Sequence, residues 1–487
     1  QGGTCQKSPS SPSSWQMSVK MRWSLSLLLS LVCSTSLFAE RLSRHAGLAT
    51  LEQSIEGTER SRILDEADDS PCSQQEETLR TVLTSLGVPD DDLWNVRNPD
   101  GVKWKGCDVT RINFGIFRHD LHGSLAKEFS ELRALEKLDL RDNNITGDLH
   151  VLKQNTLLRD LDLDNTRISG DLQSLAKATK LERLYLRGTK VYGDVVALSN
   201  AKDLRRLHLT ETKVHGDVVA LKNAKGLWHL DLAETKVHGD LASLANLTKL
   251  ENLQLSNTKV SGDLSAMLHW EKIERLGLSG TKVSGHPTED FKDCCKNLWT
   301  LELAWTNVHI MDGFFEDFEP HNESTHEWIC PFPALTSFNI TGNSLNITVR
   351  KLFKPFFGCS MLRAFGAAAC SLTGKLPVMR AFPLGRVLQL LDLSSNNVTK
   401  VEALPRNVRH LMLRENPSIG FAEDVVKMAM QEFVSVDLRN ATFADPREAL
   451  NLLDSGVLKQ NSVARTVINQ QHGFACHDLD DSSVQIS

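Results

Sequence analysis

The sequence repeats at a fixed interval of 23 residues: Leu158, Leu181, Leu204, Leu227 and Leu250 each begin the same string, and Ile273 begins another with Ile in place of Leu. One copy, Leu227 to Leu241, reads L-x-x-L-x-L-x-x-T-x-V-x-G-D-L. A short fixed period marks a solenoid, because one unit cannot bury its apolar face alone and must stack on its neighbours. Solenoids expose long surfaces suited to contact. The period therefore points to binding and away from catalysis.

Within each unit the first, fourth and sixth positions are apolar and the fifth is polar. That is strand alternation, with Leu inward and the intervening residues outward. Successive strands should stack in parallel, one per turn. The ninth position is Thr166, Thr189, Thr212, Thr235, Thr258, Thr281 and Thr306. Its hydroxyl is expected to point inward and bond the loop backbone, forming a ladder up the coil. Asn143, Asn343, Asn396 and Asn416 fill the same slot elsewhere. Gly at the thirteenth position permits a backbone conformation that side chains resist. The Asp after it (Asp171, Asp194, Asp217, Asp240, Asp263) suits capping of the returning segment. Val at the eleventh position and Leu at the fifteenth and eighteenth complete the core.

These units resemble the leucine-rich repeat, in particular the plant extracellular subclass, whose units read L-x-x-L-x-L-x-x-N-x-L-x-G-x-I-P. Val237-His-Gly239 matches the L-x-G portion. Thr stands where that subclass has Asn, and Gly-Asp-Leu replaces Gly-x-Ile-Pro. The resemblance spans roughly Thr110 to Thr442. It implies an α/β fold: a right-handed horseshoe solenoid with a parallel β-sheet on its concave face and helical caps. In the subclass a helix and a C-x-W-x-G-V-x-C element precede the repeats. Trp104 and Gly106 match that element, but Val102 and Val109 stand where its two Cys should be, and Cys107 is displaced. The usual local disulfide cannot form, and Cys72–Cys107 is the expected replacement. Cys370 occupies a ninth position, where the resemblance implies a buried structural thiol.

The rest of the chain divides by composition. Residues 1–20 are rich in Ser, Pro and Gln and read as a leader outside the fold. Residues 21–39 read as a signal peptide. Its apolar run, Trp23 to Phe38, is about 15 residues long, short for a membrane span of about 20. Cleavage after Ala39 or after Ser36 fits, and an uncleaved anchor is the alternative. Residues 40–71 read as a disordered linker and 72–109 as an N-terminal cap. Its helix is expected from about Gln74 to Leu86, opened by the capping box Ser73-Gln-Gln-Glu76 and stopped by Gly87 and Pro89. The repeat domain covers 110–445, with an irregular insertion at about 308–333. Residues 446–487 form a C-terminal cap and tail, with a helix expected over Pro446 to Asn461.

Export predicts glycans and disulfides. Sequons occur at Asn144, Asn246, Asn322, Asn339, Asn346, Asn397 and Asn440. The chain has 10 Cys. Cys5 and Cys33 fall in the leader and signal. Cys72, Cys107, Cys294, Cys295, Cys330 and Cys359 are the disulfide candidates, the last four around the insertion, while Cys476 is left without an evident partner. No C-x-x-C pair suggests zinc.

In the repeat family, the third, fifth, seventh and eighth positions face the concave surface and bind partners. Here the middle units place Arg183, Tyr185, Arg187, Arg206, His208, His229 and Asp231 on it, with Trp228 at a second position. Arg183, Arg187, Arg206 and His208 read as a basic patch able to receive a carboxylate, sulfate or phosphate; simple solvation is the competing reading. Trp228, Trp299 and Trp305 are either exposed stacking platforms or partly buried along the edge. His215 and His238 read as solvated. No metal or cofactor site and no enzyme motif emerges: there is no G-x-x-x-x-G-K-[ST], G-x-S-x-G or H-E-x-x-H. A net charge of −6 over 487 residues gives no general case for nucleic acid or an anionic membrane. The expected function is recognition of a protein or cell-surface glycan by a secreted or cell-surface module resembling a receptor ectodomain. Any membrane attachment would lie in a missing C-terminal region or an uncleaved leader. The alternatives are a secreted inhibitor of extracellular hydrolases, or an intracellular scaffold if the apolar run is not a signal.

Overall fold

The computed structural model describes residues 72–89, 101–115, 121–286, 294–309, 330–422 and 435–442. Contacts divide the chain into Gln1–Ser73 and Gln74–Ser487. Of the first unit only Cys72 and Ser73 are described, and the repeat architecture belongs to the second. The expected leader, signal, linker and 446–461 helix, and most of the insertion, lie outside the described residues.

Helix α1 (Ser73–Ser85) buries Leu79, Val82 and Leu83, the apolar stripe its spacing predicts. Gly87, at φ +81°, ends it. Strands β1 (Val102–Lys105) and β2 (Asp108–Asn113) then pair antiparallel. Val102 and Val109, which replace the two expected Cys, are both buried. Cys72 and Cys107 are both disulfide-bonded.

β2 leads into the main feature, a sheet of 15 strands among the described residues, parallel from β2 onward. The regular coils add one three-residue strand each in unshifted register. Leu161, Leu184, Leu207, Leu230, Leu253 and Leu276 form one inward row, fully buried. The residues flanking each Leu form the two outward rows of the open face.

A second parallel sheet, of seven strands among the described residues, runs along the coils, four of its strands being Lys-Val-x-Gly-Asp segments such as Lys213–Asp217 and Lys236–Asp240. Reading strand alternation only in the first six positions misses it. The buried Val191, Val214, Val237 and Val260 are its inward side chains. Gly216 shows why the thirteenth position is glycine: its φ is +107°, and a Cβ there would run into the Asp194 carboxylate of the preceding coil. Each Asp then caps a one-turn 3-10 helix. Asp194 Oδ1 accepts the Val196 N–H at 2.8 Å, and Asp217 Oδ1 the Val219 N–H at 2.8 Å. The regular coils thus return through 3-10 turns rather than α-helices.

The ninth-position residues are buried, but the Thr ladder differs from expectation. Each Thr hydroxyl donates to the carbonyl three residues earlier in its own coil: Thr189 to Leu186 and Thr212 to Leu209, both at 2.6 Å. With one hydrogen to donate, Thr closes its own turn. Asn carries two N–H groups and a carbonyl, and it does bridge coils. Asn396 donates to Leu393 in its own coil and to Ala367 in the previous one, while its Oδ1 accepts the N–H groups of Cys370 and Leu372. Thr306 Oγ1 lies 2.9 Å from Asn343 Oδ1, where the Thr run hands over to Asn. Beyond it Phe338, Phe353, Phe356 and Phe365 fill a wider core. Cys330 is bonded to Cys359, and Cys294 to Cys295.

Candidate ligand-binding face

The parallel register gathers the expected site residues into two adjoining rows. Arg183, Arg206 and His229 align across three strands, and Tyr185, His208 and Asp231 align beside them. Arg183 and Arg187 are exposed; Tyr185, Arg206, His208, His229 and Asp231 are half-buried. Tyr185, His208 and His229 meet edge to face, with ring centres 6.2 and 5.9 Å apart.

The expected basic patch is not a set of free cations. Arg183 forms a two-pronged ion pair with Asp160, at 2.5 Å on each side. His208 is held between Asp164 at 3.3 Å and Asp231 at 3.1 Å. Arg187 lies 3.7 Å from Glu211. Arg206 donates to the Tyr185 hydroxyl at 3.2 Å and stacks over Trp228, 4.2 Å from the ring centre. Every one of these carboxylates comes from a different coil than the cation it meets. A residue and the one 23 later are neighbours on adjacent strands, so Asp160 beside Arg183 was available in the repeat spacing.

Arg183, Tyr185, Arg206, His208, Asp160 and Asp164 line a hollow of about 360 Å³ together with Lys137, Asp139, Arg141 and Asp162. Asp139, Asp160 and Asp162 are buried, at 1%, 8% and 8% exposure, although they sit on an open sheet face. Burial, with the nearby Asp139 and Asp164 charges, pushes the Asp162 carboxyl up to about 7, outweighing the Arg141 guanidinium 3.1 Å away. Burial likewise raises Asp139. For His208, burial opposes protonation, but its bonds to Asp164 and Asp231 prevail and raise it to about 9. His229 is lowered by burial and by the His208 charge beside it. The hollow is a mesh of acidic and basic side chains joined by ion pairs between coils.

The coil geometry matches solved structures. PEPR1, solved as PEPR1–AtPEP1, superimposes with a TM-score of 0.58 at 22% identity, over 78% of this chain and 57% of that chain. The Arabidopsis receptor kinase HAESA, solved with the peptide hormone IDA and the co-receptor SERK1, gives 0.55 at 21% identity, over 76% and 66%. This is the leucine-rich-repeat fold. The chain spans less than two thirds of either neighbour's length. No family model matches it, and neither does any curated protein.

Along the leucine-rich-repeat face the character changes after Asp231. Small residues enter it at Gly277, Ala304, Gly342, Gly366 and Ala368, with Arg275 and Glu302 as charges among them. Trp305 rises from among them. It is 63% exposed, takes φ +56°, and lays its indole across Gly342, where a Cβ would collide with it. Trp305 is thus an exposed platform, whereas Trp228 and Trp299 are half-buried along the edge beneath Arg206 and Arg275. Among the sequons, Asn144, Asn246, Asn346, Asn397 and Asn440 are exposed; Asn339 is half-buried on the long sheet, and Asn322 lies outside the described residues. Cys370 is buried and free, its thiol pushed up to about 11 by burial. Among the described residues no cluster of three His, Cys, Asp or Glu is placed to hold a metal ion, and no helix is long and apolar enough to cross a membrane.

Proposed function

We propose that this chain is an extracellular recognition module that binds a peptide or protein segment along its long-sheet face, without chemistry. The observation that carries the reading is the burial of Asp139, Asp160 and Asp162 on an open face. Desolvating carboxylates costs stability, and plain solvated strand positions would carry no such cost. Fixed charges of alternating sign select a partner by complementarity and penalise mismatched ones. Tyr185 and Arg206 beside the mesh and Trp305 beyond it are residue types enriched at binding hot spots. The peptide hormone named with HAESA supports the same class of partner. The export signal read in 21–39, the disulfides and the exposed sequons support a secreted or cell-surface location with glycans at Asn144, Asn246, Asn346, Asn397 and Asn440.

A displayed random-peptide library selected against the glycosylated chain tests this. Selected peptides should lose at least tenfold in affinity when Tyr185 and Arg206 are both changed to Ala, and keep it when Lys213 on the second sheet is changed. Selection of peptides indifferent to Tyr185 and Arg206 would overturn the reading.

A further inference from the structure

A second hollow, of about 680 Å³, lies among residues that immediately precede the long-sheet strands. Arg159, Arg205, Lys202 and Lys249 supply four positive charges to it; Glu182 and Asp203 supply two negative ones. Glu182 is taken by Arg159 at 2.8 Å and approached by Arg205 at 3.8 Å. Lys202 and Lys249 are exposed and ion-pair with no described residue. Trp228 forms the aromatic wall.

Gly226 makes the room. In successive coils the residue before the opening Leu is Lys180, Asp203, Gly226 and Lys249. Gly226 has no left-handed backbone to require glycine. A Cβ there would meet the Leu204 carbonyl at 3.5 Å and Arg205 Cγ at 3.9 Å, which is ordinary contact. Neither backbone conformation nor packing explains the missing side chain; an open floor beside Trp228 does.

We infer that this hollow binds an acidic oligosaccharide. A sugar ring presents an apolar face to pack against the part of the indole that Arg206 leaves open. Its hydroxyls need acceptors as well as donors, and Glu182 and Asp203 are acceptors. Its carboxylates or sulfates match the unpaired Lys202 and Lys249. A bare inorganic anion would use neither the indole nor the two carboxylates. An acidic peptide would bring flexible carboxylates but no rigid ring face to pack against Trp228. The inference goes beyond the peptide-binding reading and does not depend on it.

Titration calorimetry on the full glycosylated chain is the test, with four probes: a tetramer of galacturonic acid, its methyl ester, tetraglutamate and inorganic sulfate. The acidic tetramer should bind, and its methyl ester should bind at least tenfold more weakly. Gly226→Gln, which fills the floor without adding charge, should weaken the tetramer at least tenfold with an unchanged melting temperature. Lys202→Ser with Lys249→Ser, both on exposed side chains, should do the same and serves if Gly226→Gln does not fold. Tyr185→Ala should leave tetramer binding intact, so this site and the peptide face fail separately. No binding of the tetramer, indifference to both sets of changes, or equally tight binding of tetraglutamate or sulfate would each overturn the inference.

Discussion

The guanidinium of Arg206 lies 4.2 Å from the centre of the Trp228 ring, and Arg275 repeats the arrangement over Trp299 at 4.1 Å. In both pairs a third-position Arg covers the second-position Trp of the next coil. Such contacts are worth about 0.5–1 kcal/mol at exposed sites. A double-mutant cycle with Arg275→Ala and Trp299→Leu, read by urea unfolding, should return a coupling of about that size. A coupling indistinguishable from zero would reduce the pair to coincidence.

His208 should titrate far above an ordinary imidazole, with a pKa of about 9, because Asp164 and Asp231 both bond it. A pKa raised on folding stabilises the protein fully below the ordinary value of 6.5, and that contribution is lost as pH rises through about 9. The unfolding free energy of the parent should therefore fall between those pH values, and His208→Gln should flatten that stretch. Its ring resonances, followed by NMR against pH, give the value directly.

Asp162 works in the same direction from a lower starting point. Its carboxyl is raised from 3.8 to about 7, so folding favours the protonated form and the associated stability disappears as pH climbs through about 7. Asp162→Asn should be at least as stable as the parent at pH 8 and less sensitive to pH below it. Urea midpoints at pH 5 and pH 8 check this; a variant markedly weaker at pH 8 would show that the Arg141 pair outweighs burial after all.

Thr and Asn at the ninth position should differ in cost. Thr212→Val removes one bond within a coil and leaves the Leu209 carbonyl unpaired, a loss of about 1–3 kcal/mol. Asn396→Ala breaks bonds to five backbone groups across two coils and should cost more, on the order of 3–5 kcal/mol. Equal midpoint shifts in denaturant would deny the bridging role.

Gly216→Ala should destabilise by about 1–3 kcal/mol, since a side chain at φ +107° is strained and its Cβ meets Asp194. Gly226→Ala, which has ordinary backbone and room, should be close to neutral. Thermal unfolding of the two variants side by side separates conformational glycine from spacing glycine.

Much of this architecture was legible in one dimension. The 23-residue period placed the inward rows of Leu, Val and Thr, the left-handed glycines and the capping Asp, because each depends on local geometry repeated coil by coil. The open-face residues Arg183, Tyr185, Arg206, His208, His229 and Asp231 were likewise readable from their positions within the unit. Their state was readable only in part: the 23-residue step sets Asp160 beside Arg183, but Asp164 reaches His208 from two coils away, and the basic patch became an ion-pair mesh. The second sheet, the one-coil reach of Thr, the rise of Trp305 and the hollow over Gly226 were decided the same way. The sequence by itself determined which side chains point inward or outward, since that follows from φ, ψ and alternation along a single strand. Only the tertiary structure decided what each outward group meets, since charge and contact depend on distances between coils that no single unit contains.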